Sequence, residues 1–216
     1  VLLKEEKMNT SPDEIHWKEF FRSLPRILKK RKNYRNYLIA DVLMVTAGMA
    51  NAFYTVYAFE KFNLSDGYAG DFTIIMMFST IVGSLVFGHL ADQMGHRLNL
   101  FFGALFTVIA CIVSIFAQTI IVYYAVFVFS AMTIALTQVS RITIIAELSN
   151  EQNRSTYVAL TNVITVPFTL SGLLAGWIAD SFGYLPVFIL AAVFASLSAL
   201  WFLTVVKEPR FQKVEN

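Results

Sequence analysis

Six apolar runs follow one another along this chain, near residues 37–58, 68–90, 98–117, 119–141, 156–179 and 184–206. Each approaches the roughly 20 residues that a helix needs to cross the hydrocarbon core of a bilayer. In lipid every backbone N–H and C=O must be paired within the protein, so only helices or a closed barrel can span. The runs are continuous rather than alternating, which predicts helices. Charged residues make up 15% of the 216, against about 25% in an ordinary soluble domain. The sequence thus predicts an all-α integral membrane protein with three parts: a cytoplasmic leader over 1–36, a six-helix bundle over 37–206 and a cytoplasmic tail over 207–216.

Charge sets the expected orientation, because cytoplasmic segments of membrane proteins are rich in Lys and Arg. Residues 1–36 hold ten of the seventeen Lys and Arg. With both termini in the cytoplasm, Arg97, Arg141, Arg154, Lys207, Arg210 and Lys213 fall on the same side, and only Lys61 falls outside. Within the leader, Ser11-Pro12-Asp13-Glu14 reads as a helix start. Trp17, Phe20, Phe21, Leu24, Ile27 and Leu28 then recur at helical spacing among lysines and arginines. That is a basic amphipathic helix, suited to an anionic membrane surface or to packing on protein. The chain opens at Val1 without an initiator Met, as a piece cut from a longer chain would.

The connection after the second run reads Gly88-His-Leu-Ala-Asp92-Gln-Met-Gly95-His-Arg97. The same pattern, Gly-x-(Leu/Ile)-Ala-Asp-x-x-Gly, returns 88 residues later from Gly176 to Gly183, after the fifth run. Three runs separate the copies, so they point to opposite sides of the membrane. This predicts a 3+3 inverted-topology repeat, an arrangement typical of secondary transporters. Glycines at 88 and 95 allow close helix approach and a tight turn. Asp92 can pair with Arg97 or cap the N-terminus of a neighbouring helix. Gly88, Asp92, Gly95 and Arg97 are therefore expected to form a conformational latch.

The motif from Gly88 to Arg97 resembles the loop signature of the major facilitator superfamily, which lies between helices two and three and again between helices eight and nine. Gln93 stands where the family has Arg, and His96 where a second Arg is usual. The segment from Arg141 through Glu147-Leu-Ser149 to Arg154 resembles the family's loop between helices ten and eleven. Gly176 to Tyr184 resembles the turn into helix twelve, and Lys207-Glu208-Pro209 the end of that helix. Over residues 15–210 the resemblance implies the C-terminal half of a twelve-helix fold, with the six spans as helices seven to twelve. It further implies that helices seven, eight, ten and eleven line a central cavity, and that an N-terminal six-helix half is the partner.

Mid-span amides are costly in lipid and often functional. They occur at Asn51, Gln138 and Asn162, in spans one, four and five. Each can line a solute pathway or hydrogen-bond between helices. Tyr54, Tyr57 and Thr165 lie near them and join the expected cavity set. Asp41, about a turn inside span one, is the local candidate for proton coupling. Arg141 is expected as a snorkelling anchor paired with Glu147.

Other chemistries lack their residues. The chain has no Gly-x-x-x-x-Gly-Lys-(Ser/Thr) loop, no His-Glu-x-x-His and no Gly-x-Ser-x-Gly. His16, His89 and His96 are not spaced as metal ligands, and the last two are expected to face water. Cys111 stands alone, so no disulfide forms within the chain. The reading is a transporter of a small solute in the lipid bilayer of the plasma or bacterial inner membrane, with no catalytic residues, cofactor, metal or nucleic-acid partner. A non-transporting membrane assembly subunit and the membrane domain of an ATP-driven transporter are the alternatives.

Overall fold

The computed structural model of the protein describes residues 28–149 and 153–211, without the side chain of Phe211. The leader helix expected from Ser11 onward falls almost wholly outside the described residues. Among the described residues there is no strand, and six helices are long and apolar enough to cross a membrane. They are α1, Lys32–Phe62; α2, Tyr68–Met94; α3, His96–Phe116; α4, Ile120–Leu148; α5, Arg154–Phe182; and α6, Tyr184–Thr204.

Local chemistry explains where these helices stop. Asn63 closes α1 in the left-handed conformation, φ +47°, a common way to end a helix. Thr119 caps α4, its side chain accepting a hydrogen bond from the Val122 N–H. Several helices run beyond the apolar stretches. Among them α4 continues to Leu148, where Ile144 and Ile145 still pack in the core.

Two helices are broken inside the membrane. In α1 the residues Gly48–Ala52 form a 3₁₀ turn. In α5 the α-helix stops at Thr169, just after Pro167, and resumes at Ser171. Pro167 lacks the N–H that the ladder needs. The two breaks face each other: the Ser171 hydroxyl donates to the Thr46 carbonyl at 3.5 Å. Irregular backbone survives at membrane depth only where neighbours satisfy it in this way.

The main contacts run in the spatial order α2–α4–α3–α6–α1–α5. Exchanging α1 with α4, α2 with α5 and α3 with α6 reverses this order and leaves it otherwise unchanged. The packing therefore has the symmetry of the inverted repeat. Gly95 and Gly183, equivalent in the repeat, adopt matching backbone, with φ +93° and ψ 157° at the first and φ +80° and ψ 178° at the second. That region of backbone space is open essentially to glycine alone. Gly95 marks one end of the bundle and Gly183 the other. Asn33 and Lys207 exchange hydrogen bonds of 2.8 Å at the Gly95 end, so α1 begins where α6 finishes.

Small residues set the close crossings. A Cβ on Gly83 of α2 would lie 3.1 Å from Ala135 and Met132 of α4. Gly88 does not serve this purpose, since nothing stands within 4 Å of where its Cβ would be. The close approach expected there occurs at Gly83 instead. At the ends of the packing order, α2 and α5 are the least buried helices. They present Ile74, Phe78 and Leu85, and Leu173, Leu174 and Trp177, to the outside.

Candidate functional site: a polar cavity and a strapped turn

A cavity of about 220 Å³ opens between α1, α3 and α4. Its polar wall is built from Asp41, Asn51, Gln138 and Arg141, with threonines from α3 and α4. Asp41 is buried, and its Oδ2 accepts from Arg141 Nε at 3.1 Å and from Nη2 at 3.0 Å. Arg141 Nη2 also donates to Thr165 Oγ1 at 2.9 Å. One guanidinium thereby ties α1, α4 and α5 together at mid-bundle. A buried pair with further hydrogen bonds is the form in which charges survive away from water.

This geometry corrects the expected partner of Arg141. Glu147 lies two turns further along α4 and binds Arg210 instead, Nε to Oε1 at 2.6 Å. Thr165 joins the site through Arg141 while donating to the Thr161 carbonyl at 2.9 Å. Asn51 accepts from the Ser130 hydroxyl at 3.4 Å, a contact between α1 and α4. Gln138 is exposed toward the cavity mouth.

The other expected cavity residues lie elsewhere. Tyr54 is a core residue: its hydroxyl meets Cys111 Sγ at 3.3 Å, its carbonyl accepts from the Tyr123 hydroxyl at 2.8 Å, and its ring stacks on Phe188. Asn51 lies inside the 3₁₀ turn Gly48–Ala52, and Tyr54, in the α-helix that follows, faces the core between α3, α4 and α6 instead of the cavity. Tyr57 is half-buried among Tyr123, Tyr184 and Phe188, with the Lys61 ammonium 5.1 Å above its ring. Asn162 is exposed on α5, outside this cavity, and makes no hydrogen bond among the described residues.

At the Gly95 end the expected latch residues meet partners from the tail. The Arg97 backbone N–H donates to Glu208 Oε2 at 2.9 Å, and Arg97 Nη1 to the Val206 carbonyl at 3.0 Å. Glu208 lies directly over Gly95, where any Cβ would collide with its carboxylate. The carboxylate thus caps the positive N-terminus of α3. Asp92 does not pair with Arg97, whose side chain is drawn back to the end of α6. Its exposed carboxylate lies 4.0 Å from Arg210 Nη2. Arg210 also donates to the Asp92 carbonyl at 2.9 Å and to His96 Nε2 at 3.1 Å.

His96 is buried rather than facing water, with Nδ1 3.2 Å from the Ser140 hydroxyl, which also accepts from Asn99 Nδ2 at 2.9 Å. Arginine can only donate, so His96 Nε2 accepts and the ring's proton sits on Nδ1. His89 instead meets Gln93 at 2.8 Å. Sequence reasoning missed the tail as a working part. The dense charges of Lys207-Glu208-Pro209-Arg210, set where α6 leaves lipid, were the available signal. Among the described residues no group of three His, Cys, Asp or Glu stands close enough to hold a metal ion.

The family profile of the Major Facilitator Superfamily matches residues 38–216. No curated protein and no solved structure matches the chain.

Proposed function

The chain belongs to the Major Facilitator Superfamily, and from that premise we propose that it acts as the C-terminal six-helix half of a secondary active transporter that moves a small solute by alternating access. The observation that carries the reading is a polar cavity at mid-bundle, walled by Asp41, Asn51, Gln138 and Arg141, in a bundle whose flanking helices α2 and α5 lack cover. A soluble solute crossing lipid needs such a wet, mid-depth site. The exposed apolar faces of α2 and α5 supply what an N-terminal half would pack against. Lipid covers the rest.

In this reading Asn51, Gln138 and Thr165 contact or shape the solute site, with Asn162 reached from the side of the partner half. Asp41 is the proton-coupling group. Its contact with Arg141 ties any change at Asp41 to rearrangement of α1 against α4. Gly88, Asp92, Gly95 and Arg97 belong to a clamp at the cytoplasmic end, completed by Glu208 and Arg210. The Lys and Arg distribution supports a cytoplasmic position for that end, and the proposed membrane is the plasma or bacterial inner membrane.

Asn51→Cys in a Cys111→Ser background tests alternating access in the whole protein. A membrane-impermeant maleimide is expected to label the introduced thiol from both sides of the membrane, in proportions that a transported solute shifts. Labelling from one side only, under every condition, would overturn the proposed cycle.

A further inference from the structure

The cavity continues into a larger one. Ile134 and Gln138 line both the 220 Å³ polar pocket and an adjoining groove of about 730 Å³ between α2 and α4. The groove is walled mainly by Met76, Met77, Ile81 and Leu85. The joined space has a polar head and an apolar body. Methionine makes such walls adaptable, since its thioether side chain repacks around different shapes.

Three donors in the head remain unspent, on Asn51, Gln138 and Arg141. The threonines are not among them: the hydroxyls of Thr107 and Thr133 donate to the Gly103 carbonyl and that of Thr137 to the Thr133 carbonyl, which leaves them only lone pairs. Asn51 Oδ1 is engaged by Ser130, which leaves its Nδ2 to donate. Gln138 carries a further NH₂. Arg141 spends Nε and Nη2 on Asp41 and Thr165, and its Nη1 has no hydrogen-bond partner among the described residues. Both members of the ion pair line the cavity, and the cation is the more open: the Arg141 side chain is 27% exposed and that of Asp41 3%.

We propose, resting on the transporter reading above, that the solute is an amphiphilic organic anion whose carboxylate, sulfonate or phosphate head meets Arg141, Asn51 and Gln138 while its apolar body lies along the methionine-lined groove. Converging donors with one available guanidinium nitrogen recognise an oxygen-rich anion. The groove takes the surface that such a solute hides from water.

The test is ligand binding to the whole protein in lipid nanodiscs, using naphthalenesulfonate as probe. Methanesulfonate, naphthyl glucoside and naphthylmethyl-trimethylammonium remove the apolar body, the charge and its sign in turn. Naphthalenesulfonate is expected to bind at least about tenfold tighter than each of the three, a gap of about 1.4 kcal/mol. Arg141→Lys keeps a cation for Asp41 but loses the planar fork, and should weaken naphthalenesulfonate about tenfold without moving naphthyl glucoside. Ile81→Gln, at an exposed groove position, should erase most of the advantage over methanesulfonate. Equal or better binding of the cation or the glucoside would overturn the proposal, as would an Arg141→Lys protein that folds and binds the sulfonate unchanged. The maleimide assay separates the two readings. Alternating access without sulfonate binding overturns the amphiphilic anion and spares the transporter. Sulfonate binding without alternating access supports the site and overturns the transport cycle.

Discussion

Gly95 and Gly183 close their helices in the same way. Each has a positive φ, and each donates its N–H to the carbonyl four residues back, Ala91 at 3.0 Å and Ala179 at 2.9 Å. What lies over them differs. Gly95 is covered by Glu208, with Arg210 bridging Glu147, His96 and the Asp92 backbone. Nothing stands within 4 Å of the Cβ position of Gly183, and Asp180 beside it is exposed. Duplication thus accounts for the turn itself, while an unduplicated tail supplies the strap on one copy. Gln93 occupies the place where the resemblance leads one to expect a cation next to Asp92, and Arg210 brings a cation there from the tail.

Three comparisons of variants sharpen this contrast. The largest effect is expected from Gly95→Ala beside Gly183→Ala, followed by thermal unfolding in detergent. Both place a Cβ in glycine-only backbone, at about 1–3 kcal/mol. Only Gly95→Ala must also displace Glu208, so it should lose more stability than its counterpart. Equal losses would mean that the strap does not bear on the turn. Next, Glu208→Gln weakens the cap on α3 by about 1 kcal/mol. In that background the extra cost of Gly95→Ala should persist, because glutamine fills the same space, whereas Glu208→Ala should abolish it. The smallest change in stability, at most about 1 kcal/mol, is expected from Asp92→Asn, since the carboxylate is 75% exposed and 4.0 Å from Arg210. If the transporter reading holds, solute transport by the whole protein should nevertheless slow, with membrane insertion intact, while Asp180→Asn leaves transport unchanged. Unaltered transport in Asp92→Asn would remove Asp92 from the clamp.

The spans were legible because lipid imposes a length and a composition that few other environments demand. The inverted repeat was legible because its turn needs glycine at one position and tolerates little else there. The ion pair was not. Asp41, Arg141 and Thr165 stand on three helices, and no spacing along the chain encodes that α1 and α5 flank α4 at the same depth. Tyr54 was misplaced because nearness to Asn51 in sequence was read as a shared face, whereas the cavity takes one side of α1 and Tyr54 turns toward Cys111 and Phe188. His96 was expected in water because it follows a helix-ending glycine. The tail that buries it arrives from more than a hundred residues later.

The packing order has a consequence for how the protein is made. Helices α1, α2 and α3 leave the ribosome before α4, α5 and α6, yet the broadest contacts of α1 are with α6 and α5, and those of α2 are with α4. Each half of the repeat therefore lends its outer helices to the other. A nascent chain that has inserted α1–α3 but not yet α4–α6 holds α1 and α2 as neighbours in sequence with little to bind between them. The pairing Asn33–Lys207 forms only after the last helix has entered the bilayer. Insertion and assembly are thus separate stages, and a translocon or chaperone that releases the early helices too soon would release them unpaired.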